Sequence, residues 1–197
     1  VSHDLRTPLT RMKLELAMMP KDQPGVADLM GDVEEMQRLV DAYLGFVRGE
    51  GREPPEPVDL QALLSDMADR ARRDGVEVDL VQGPPVKLTL RPLAIRSCLS
   101  NLVDNAARHG RRVRLGLEVG DKAVTVQVDD DGPGIPDDER DKVFQPFTRL
   151  DPARRRSTGG VGLGLTIARD VALGHGGDIE LGRSPLGGLR ASLRLPY

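Results

Sequence analysis

The sequence predicts an α-helical hairpin over residues 1–52, paired with a second copy as a four-helix bundle, and then a two-layer α/β sandwich over residues 53–197. Three observations carry this reading. Apolar residues in the first fifty positions recur at three- and four-residue spacing, the period of one helix face. "GEGREPPEP" at 49–57, rich in glycine, proline and charge, then interrupts that period as a linker does. Beyond it, helical periodicity alternates with runs of strict period two.

Leu5, Leu9, Met12, Leu16 and Met19 form the stripe of the first helix, and "PKDQPG" at 20–25 ends it. The stripe returns through Leu29, Val33, Met36, Leu39, Val40, Tyr43, Leu44 and Val47. Two helices cannot bury their stripes against each other alone, which is why a homodimer is expected. In the second domain "VDLQALLSDMADRARRDG" reads as a helix closed by Gly75. "VEVDLV" and "VKLTL" alternate as strands, and "RPLAIRSCLSNLVDNAARHG" is a long helix with Pro92 in its first turn and Gly110 at its end. "RRVRLGLEV" and "AVTVQVDD" alternate around Gly120-Asp121, a hairpin. "VGLGLTIARDVALGHGG" is helical, and "DIELGRS" and "LRASLRL" close the domain around "PLGG".

Composition excludes several classes. With 39% hydrophobic and 30% charged residues the chain is of ordinary soluble type, and with aromatics at 3% its core must be aliphatic. A formal net charge of −3 gives no general attraction to nucleic acid. The single cysteine, Cys98, forms no internal disulfide and reads as a small core residue, which fits a reducing cytosolic compartment. No apolar run is long enough to cross a membrane, and no signal peptide is present. His3 stands two residues from the start of the chain, so a fragment of something longer is expected.

Four stretches carry chemistry. In "NLVDNAARHG", Asn101 and Asn105 are four apart and share a helix face. An amide oxygen is a hard neutral ligand that suits Mg²⁺ also held by phosphates, and Arg108 can meet an anion. The same pattern also describes an amphipathic helix with its polar side in water. "DDDGPGIP" at 129–136 follows a strand, and its glycines let a backbone approach a ligand closely. Asp131 can accept a hydrogen bond from an exocyclic amine such as adenine offers, although D-G-P-G also makes plain turns. "STGGVGLGLTIARDV" crowds Gly159, Gly160, Gly162 and Gly164 at a helix entry, where bare amides can hold an anion; it is neither a Walker A loop nor a Rossmann turn. "KVFQPFTRLDPARRRSTGG" holds Phe144 and Phe147 in a long polar loop of the kind often used as a lid, with Arg154, Arg155 and Arg156 either clamping phosphates or simply solvated.

In this order the stretches are much more specific than any one alone. The chain resembles the cytoplasmic catalytic core of bacterial sensor histidine kinases over essentially its whole length. "SHDLRTPLTR" is similar to their H box, "NLVDNAARHG" to the N box, "DDDGPGIP" to the G1 box, "VFQPF" to the F box and "GVGLGL" to the G2 box, with the nearest likeness to EnvZ-type osmosensor kinases. The resemblance implies a dimerisation and histidine-phosphotransfer hairpin followed by an ATP-binding domain of the Bergerat type, shared with gyrase-type topoisomerases, MutL and Hsp-type chaperones. It implies His3 as phosphoacceptor, Asp4 as the acid that assists proton removal, and Thr7 as the residue that orients water in phosphatase turnover. It implies Asn105 as Mg²⁺ ligand, Asn101 beside the phosphates and Asp131 as the adenine-binding acid. Gly132 and Gly134 would line the base pocket, Gly160, Gly162 and Gly164 the phosphates, and Arg108, Ile135, Phe144, Leu163 and Leu165 the rest of the ATP site. Where many relatives have Lys-Tyr, this chain has Arg108-His109, so stacking on adenine falls to an imidazole. ATP and Mg²⁺ are the implied cofactors, and a second copy and a response-regulator receiver domain the implied partners. The fragment itself would make no membrane contact and would be the cytoplasmic portion of an inner-membrane protein.

The opening stretch then makes chemical sense. His3 and Thr7 lie one turn apart on one face, and Asp4 adjoins the imidazole. A neutral imidazole is nucleophilic, and a carboxylate can hold the proton of its other nitrogen. Pro8 removes an N–H, so a bend is expected there. Three functions stay open on these residues: an autokinase, an ATP-driven clamp of the gyrase or MutL kind, and a nucleotide-binding scaffold without turnover.

Overall fold

The computed structural model describes residues 2–20, 25–33, 36–37, 53–148 and 162–197, which fall into two compact units divided after Arg52. In the first unit, α1 spans Ser2–Ala17 and runs through Pro8, and α2 is helical over residues 26–33. Residues 36–37 are helical too, and the rest of the expected second helix lies outside the described residues. Leu9 and Val33 are buried, whereas Met12, Leu14, Met18, Met19, Leu29 and Met36 are exposed.

The second unit is a two-layer α/β sandwich. Its sheet has the order β2-β4-β5-β7-β6, formed by Glu77–Leu80, Arg112–Val119, Ala123–Asp130, Leu189–Pro196 and Asp178–Arg183. All neighbours are antiparallel except β2 and β4. The helices α3 (Leu60–Arg73), α4 (Pro92–His109) and α5 (Gly164–Leu173) supply the other layer. Strand alternation aims Val113, Leu115, Val124, Val126, Val128, Leu193 and Leu195 at the helices, and all are buried. From the helix side Leu64, Ile95, Leu99, Leu102 and Ala168 close an aliphatic core without tryptophan. The opposite sheet face is polar and carries the Arg114–Asp79 and Arg190–Asp129 ion pairs.

Part of the stretch read as linker and helix start folds differently. The stretch before α3 is not helical: Glu56–Asp59 forms β1, which pairs antiparallel with β3 (Lys87–Leu90) in a separate ribbon. Asp59 ends that strand in extended backbone and caps α3, its carboxylate accepting the Ala62 N–H at 3.0 Å. Gly110 does end α4, but with φ of −112° it is not a left-handed cap. A Cβ there would come 2.7 Å from Asp131 Oδ1, so close approach requires the glycine.

Gln61 in α3 has both amide atoms buried without a partner among the described residues. An unpaired buried amide costs about 1–3 kcal/mol. Gln61→Met keeps the length and removes the polar atoms, so the urea midpoint is expected to rise by the equivalent of about 1 kcal/mol; a lower midpoint would show that the amide is satisfied.

Candidate nucleotide site

The site is built where α4, the end of β5 and the start of α5 meet. One face of α4 is committed to the core through Ile95, Cys98, Leu99, Leu102, Val103 and Ala106. Asn101 and Asn105 flank that face, half-buried, and among the described residues neither amide has a protein partner. Gly164 opens α5 directly against the first of them: a Cβ there would lie 3.4 Å from Asn101 Oδ1. Leu163, the residue before α5, and Leu165, packed on the core, fix this helix start.

Three consecutive aspartates follow Val128 and have three different surroundings. Asp129 points to the outer sheet face, where Arg190 grips both its oxygens at 2.7 Å. Asp130 continues the inward set of Val124, Val126 and Val128 and is 2% exposed. Its Oδ1 accepts the N–H groups of Gly132 at 2.8 Å and Leu189 at 3.0 Å, and among the described residues Oδ2 has no hydrogen-bond partner. Burial pushes this carboxyl above the usual carboxylate range, against the opposing pull of those two N–H groups. Asp131 is exposed, and its Oδ1 accepts the Arg112 N–H at 3.0 Å and the Arg111 N–H at 2.7 Å, which hold its carboxyl below the usual range.

The sequence reading put the base-facing acid at Asp131. That carboxylate braces the turn from α4 into β4, and Asp130 is the acid that faces inward among the glycines. The two differ by one position, and one position on a strand reverses the face. The alternation of Val124, Val126 and Val128 contained the signal.

Around Asp130 the backbone is close-packed. A Cβ on Gly132 would lie 2.7 Å from the His109 carbonyl oxygen, which ties this loop to the end of α4 one turn beyond Asn105. Gly134 is left-handed, with φ of 71°, and sits against Gly188 of the β6–β7 turn. That turn, the "PLGG" of the closing hairpin, is not part of the site in the sequence reading; it donates the Gly188 N–H to the Asp130 carbonyl at 3.1 Å. Ile135 is half-buried, and its carbonyl accepts the Arg140 guanidinium at 3.3 Å. Arg108 and His109 are exposed in the last turn of α4.

Phe144 packs against the core with the Arg169 guanidinium 4.4 Å above its ring, and its carbonyl accepts the Thr166 hydroxyl at 2.8 Å. Thr166 and Arg169 are further residues that sequence reasoning missed. Phe147 donates its N–H to the Gly162 carbonyl at 2.9 Å, and Gly162 has φ of 74° with no room for a Cβ beside Phe147. Gly160 and Arg154, Arg155 and Arg156 lie outside the described residues. In the first unit His3 and Asp4 fall at the start of α1, with Thr7 exposed one turn later. Among the described residues no group of three His, Cys, Asp or Glu side chains could hold a metal. A hard cation here would rely on amide oxygens such as those of Asn105 and Asn101 and on the oxygens of its own ligand.

Residues 90–197 match the family described as histidine kinase-, DNA gyrase B-, and HSP90-like ATPase. Sensor histidine kinase GtrS of Pseudomonas aeruginosa is 41% identical over 198 residues, covering 100% of this chain and 40% of that protein. The crystal structure of the ATP binding domain of PrrB from Mycobacterium tuberculosis is 34% identical with a TM-score of 0.62, covering 73% of this chain and 98% of that one. The NMR structure of the histidine kinase domain of the E. coli osmosensor EnvZ is 36% identical with a TM-score of 0.54, covering 75% and 92%. The chain spans less than half the length of the curated relatives it matches.

Proposed function

The chain belongs to the histidine kinase-, DNA gyrase B- and HSP90-like ATPase family, within it to the sensor histidine kinases, and from this premise we propose that it binds ATP with Mg²⁺, phosphorylates its own His3 and passes the phosphoryl group to an aspartate of a response regulator. The observation that carries the reading is the buried Asp130 carboxylate, its Oδ1 pinned by two backbone N–H groups and its Oδ2 left to accept an exocyclic amine. An adenine offers that donor, and Gly132 and Gly134 let the loop approach its ring. Asn105, with Asn101 one turn earlier, provides free amide oxygens toward the phosphates, and the α5 N-terminus at Gly164 provides N–H groups. Bound Mg²⁺ supplies charge compensation for the phosphate oxygens.

In the transfer a neutral His3 nitrogen bonds to the γ-phosphorus as the bond to the bridging oxygen of ADP breaks. Asp4 holds the proton on the other ring nitrogen and stabilises the cation that forms. Phosphotransfer then breaks the N–P bond in favour of a partner carboxylate. The hairpin of residues 1–52 is the dimerisation and phosphotransfer domain in this reading, and the exposed Met12, Leu14, Met18 and Leu29 support a helical partner, a second copy of the chain. Residues 53–197 are the ATP-binding domain. The whole protein would be anchored in the inner membrane with this portion in the cytoplasm; no described helix is long and apolar enough to cross a membrane.

Incubation with γ-labelled ATP tests the reaction. Acid-labile, base-stable label on the protein supports the autokinase. Released phosphate without label would instead show a clamp-type ATPase, and neither product a nucleotide-binding scaffold.

Thr7 and Asp4 are expected to separate two activities. Hydrolysis of a partner's aspartyl phosphate needs a placed water, which the exposed Thr7 hydroxyl can orient, whereas imidazole attack does not need it. Thr7→Ala should lower regulator dephosphorylation by about 10²-fold and spare autophosphorylation, and Asp4→Asn should do the reverse. Parallel loss of both activities with falling thermal stability in each variant would mean that the two residues only support the helix start.

A further inference from the structure

The end of the α4–α5 pair remote from Asn101 and Gly164 is fastened by residues far apart in sequence. The Arg91 N–H, at the entry to α4, donates to His175 Nε2 at 3.1 Å, and its guanidinium donates to the Gly174 carbonyl, just past α5, at 2.9 Å. The other ring nitrogen, His175 Nδ1, donates to the Val171 carbonyl at 2.7 Å. From the opposite side Glu53 accepts the first N–H groups of α4, Leu93 at 2.8 Å and Ala94 at 3.3 Å. These bonds satisfy helix-end groups that would otherwise lack partners. Burial and the nearby Arg91 charge lower the His175 pKa, which keeps the ring neutral and Nε2 available as an acceptor.

Glu53 is also the first residue of the second unit, within the 49–57 stretch through which the chain enters it. We propose that Glu53, Arg91 and His175 are positioning residues for nucleotide binding: they clamp α4 to α5 at one end, so that Asn101 and Gly164 keep their spacing at the other, and Glu53 fastens the entering linker to the helix that carries Asn101 and Asn105. The inference rests on the reading of that end as the ATP site. The helices α4 and α5 are stiff rods packed side by side. A change in their separation or tilt at the clamp is carried along both to the site. A tug on the linker reaches Glu53 first.

The chain contains its own reporter of helix separation. Its single cysteine, Cys98, lies on α4 facing α5, with Sγ donating to the Ala168 carbonyl at 3.4 Å. Its thiol is buried and its pKa is pushed up to about 12 by that burial, so it reacts only when the two helices part.

The experiment uses the whole 197-residue chain and compares wild type with Glu53→Ala, His175→Phe and, as a destabilised control in the same core, Leu64→Ala. Cys98 modification by a small aromatic disulfide is timed under native conditions, and Mg-ATP affinity is measured by calorimetry. In both clamp variants modification should be about tenfold faster and ATP affinity about fivefold weaker, with saturating ATP slowing modification. At a temperature giving equal distance from its melting point, Leu64→Ala should change neither quantity by more than about twofold. Glu53→Gln, which keeps one acceptor oxygen, should recover part of both effects. If the clamp variants change only the melting temperature, or move one of the two quantities without the other, the proposal is wrong. Wild-type chain that binds no ATP would instead sink the nucleotide reading, while the Cys98 rates still report on the clamp.

Discussion

In Asp130→Asn the affinity for ATP is expected to fall by about 10- to 100-fold while the fold holds, since a hydrogen bond to a charged group is worth about 1.5–3 kcal/mol. The substitution is nearly isosteric. The amide oxygen can keep the Gly132 and Leu189 N–H groups that now bind Oδ1, so the G1 loop and the β6–β7 turn stay together. What changes is the second atom: an acceptor at Oδ2 becomes an N–H₂ donor facing the donor amine of adenine. Preference should shift toward GTP, whose base presents an acceptor there. The stability side has a definite sign. Burial raises the folded-state pKa of Asp130 above its unfolded value, so its ionised form costs stability at neutral pH, and this cost fades as pH falls through the raised pKa. Asn carries no such cost. The variant should therefore melt at or above the wild-type temperature at neutral pH, and the gap should close on acidification. Calorimetric titration and melting curves measure both. Unchanged ATP affinity would place the base elsewhere; Asp131→Asn is expected to leave it unchanged.

Gly188→Ala should damage the same site from below. Gly188 is buried, and a Cβ there would collide with Asp130 Oδ1 and come 2.5 Å from the Gly132 nitrogen. Neither atom can yield cheaply, since both belong to the network that fixes Asp130. Overpacking of this kind costs about 1–3 kcal/mol. The expected outcome is a lower urea midpoint together with ATP binding weaker than in a core variant of equal stability loss. A variant with wild-type affinity would show that the turn does not position the acid.

Much of the second domain could be read from period and punctuation. Pro92 and the spacing of Ile95, Leu99, Leu102 and Ala106 mark α4, and the alternation around Gly120 marks the β4–β5 hairpin, because each depends on neighbours within a few residues. The strand β1 could not be read that way. Glu56-Pro57-Val58-Asp59 has little strand character, and its pairing with Leu90, Thr89, Leu88 and Lys87 joins residues 28 to 34 positions apart. The site divided similarly. The asparagine pair and the glycines stood out by spacing, whereas the different surroundings of Asp130 and Asp131 depend on which carboxylate finds the Leu189 N–H and which finds Arg111 and Arg112. Glu53 and His175 carry no local motif; what they do is set by partners 40 and 84 residues away.

The most direct test of the central claim is the position of the transferred phosphoryl group. The chain has only three histidines, His3, His109 and His175, so peptide mass spectrometry at alkaline pH after incubation with Mg-ATP can assign it. The account requires phosphohistidine at His3, with none formed in His3→Gln although that variant still binds ATP. Phosphate on His109 or His175, or covalent label persisting in His3→Gln, would contradict it.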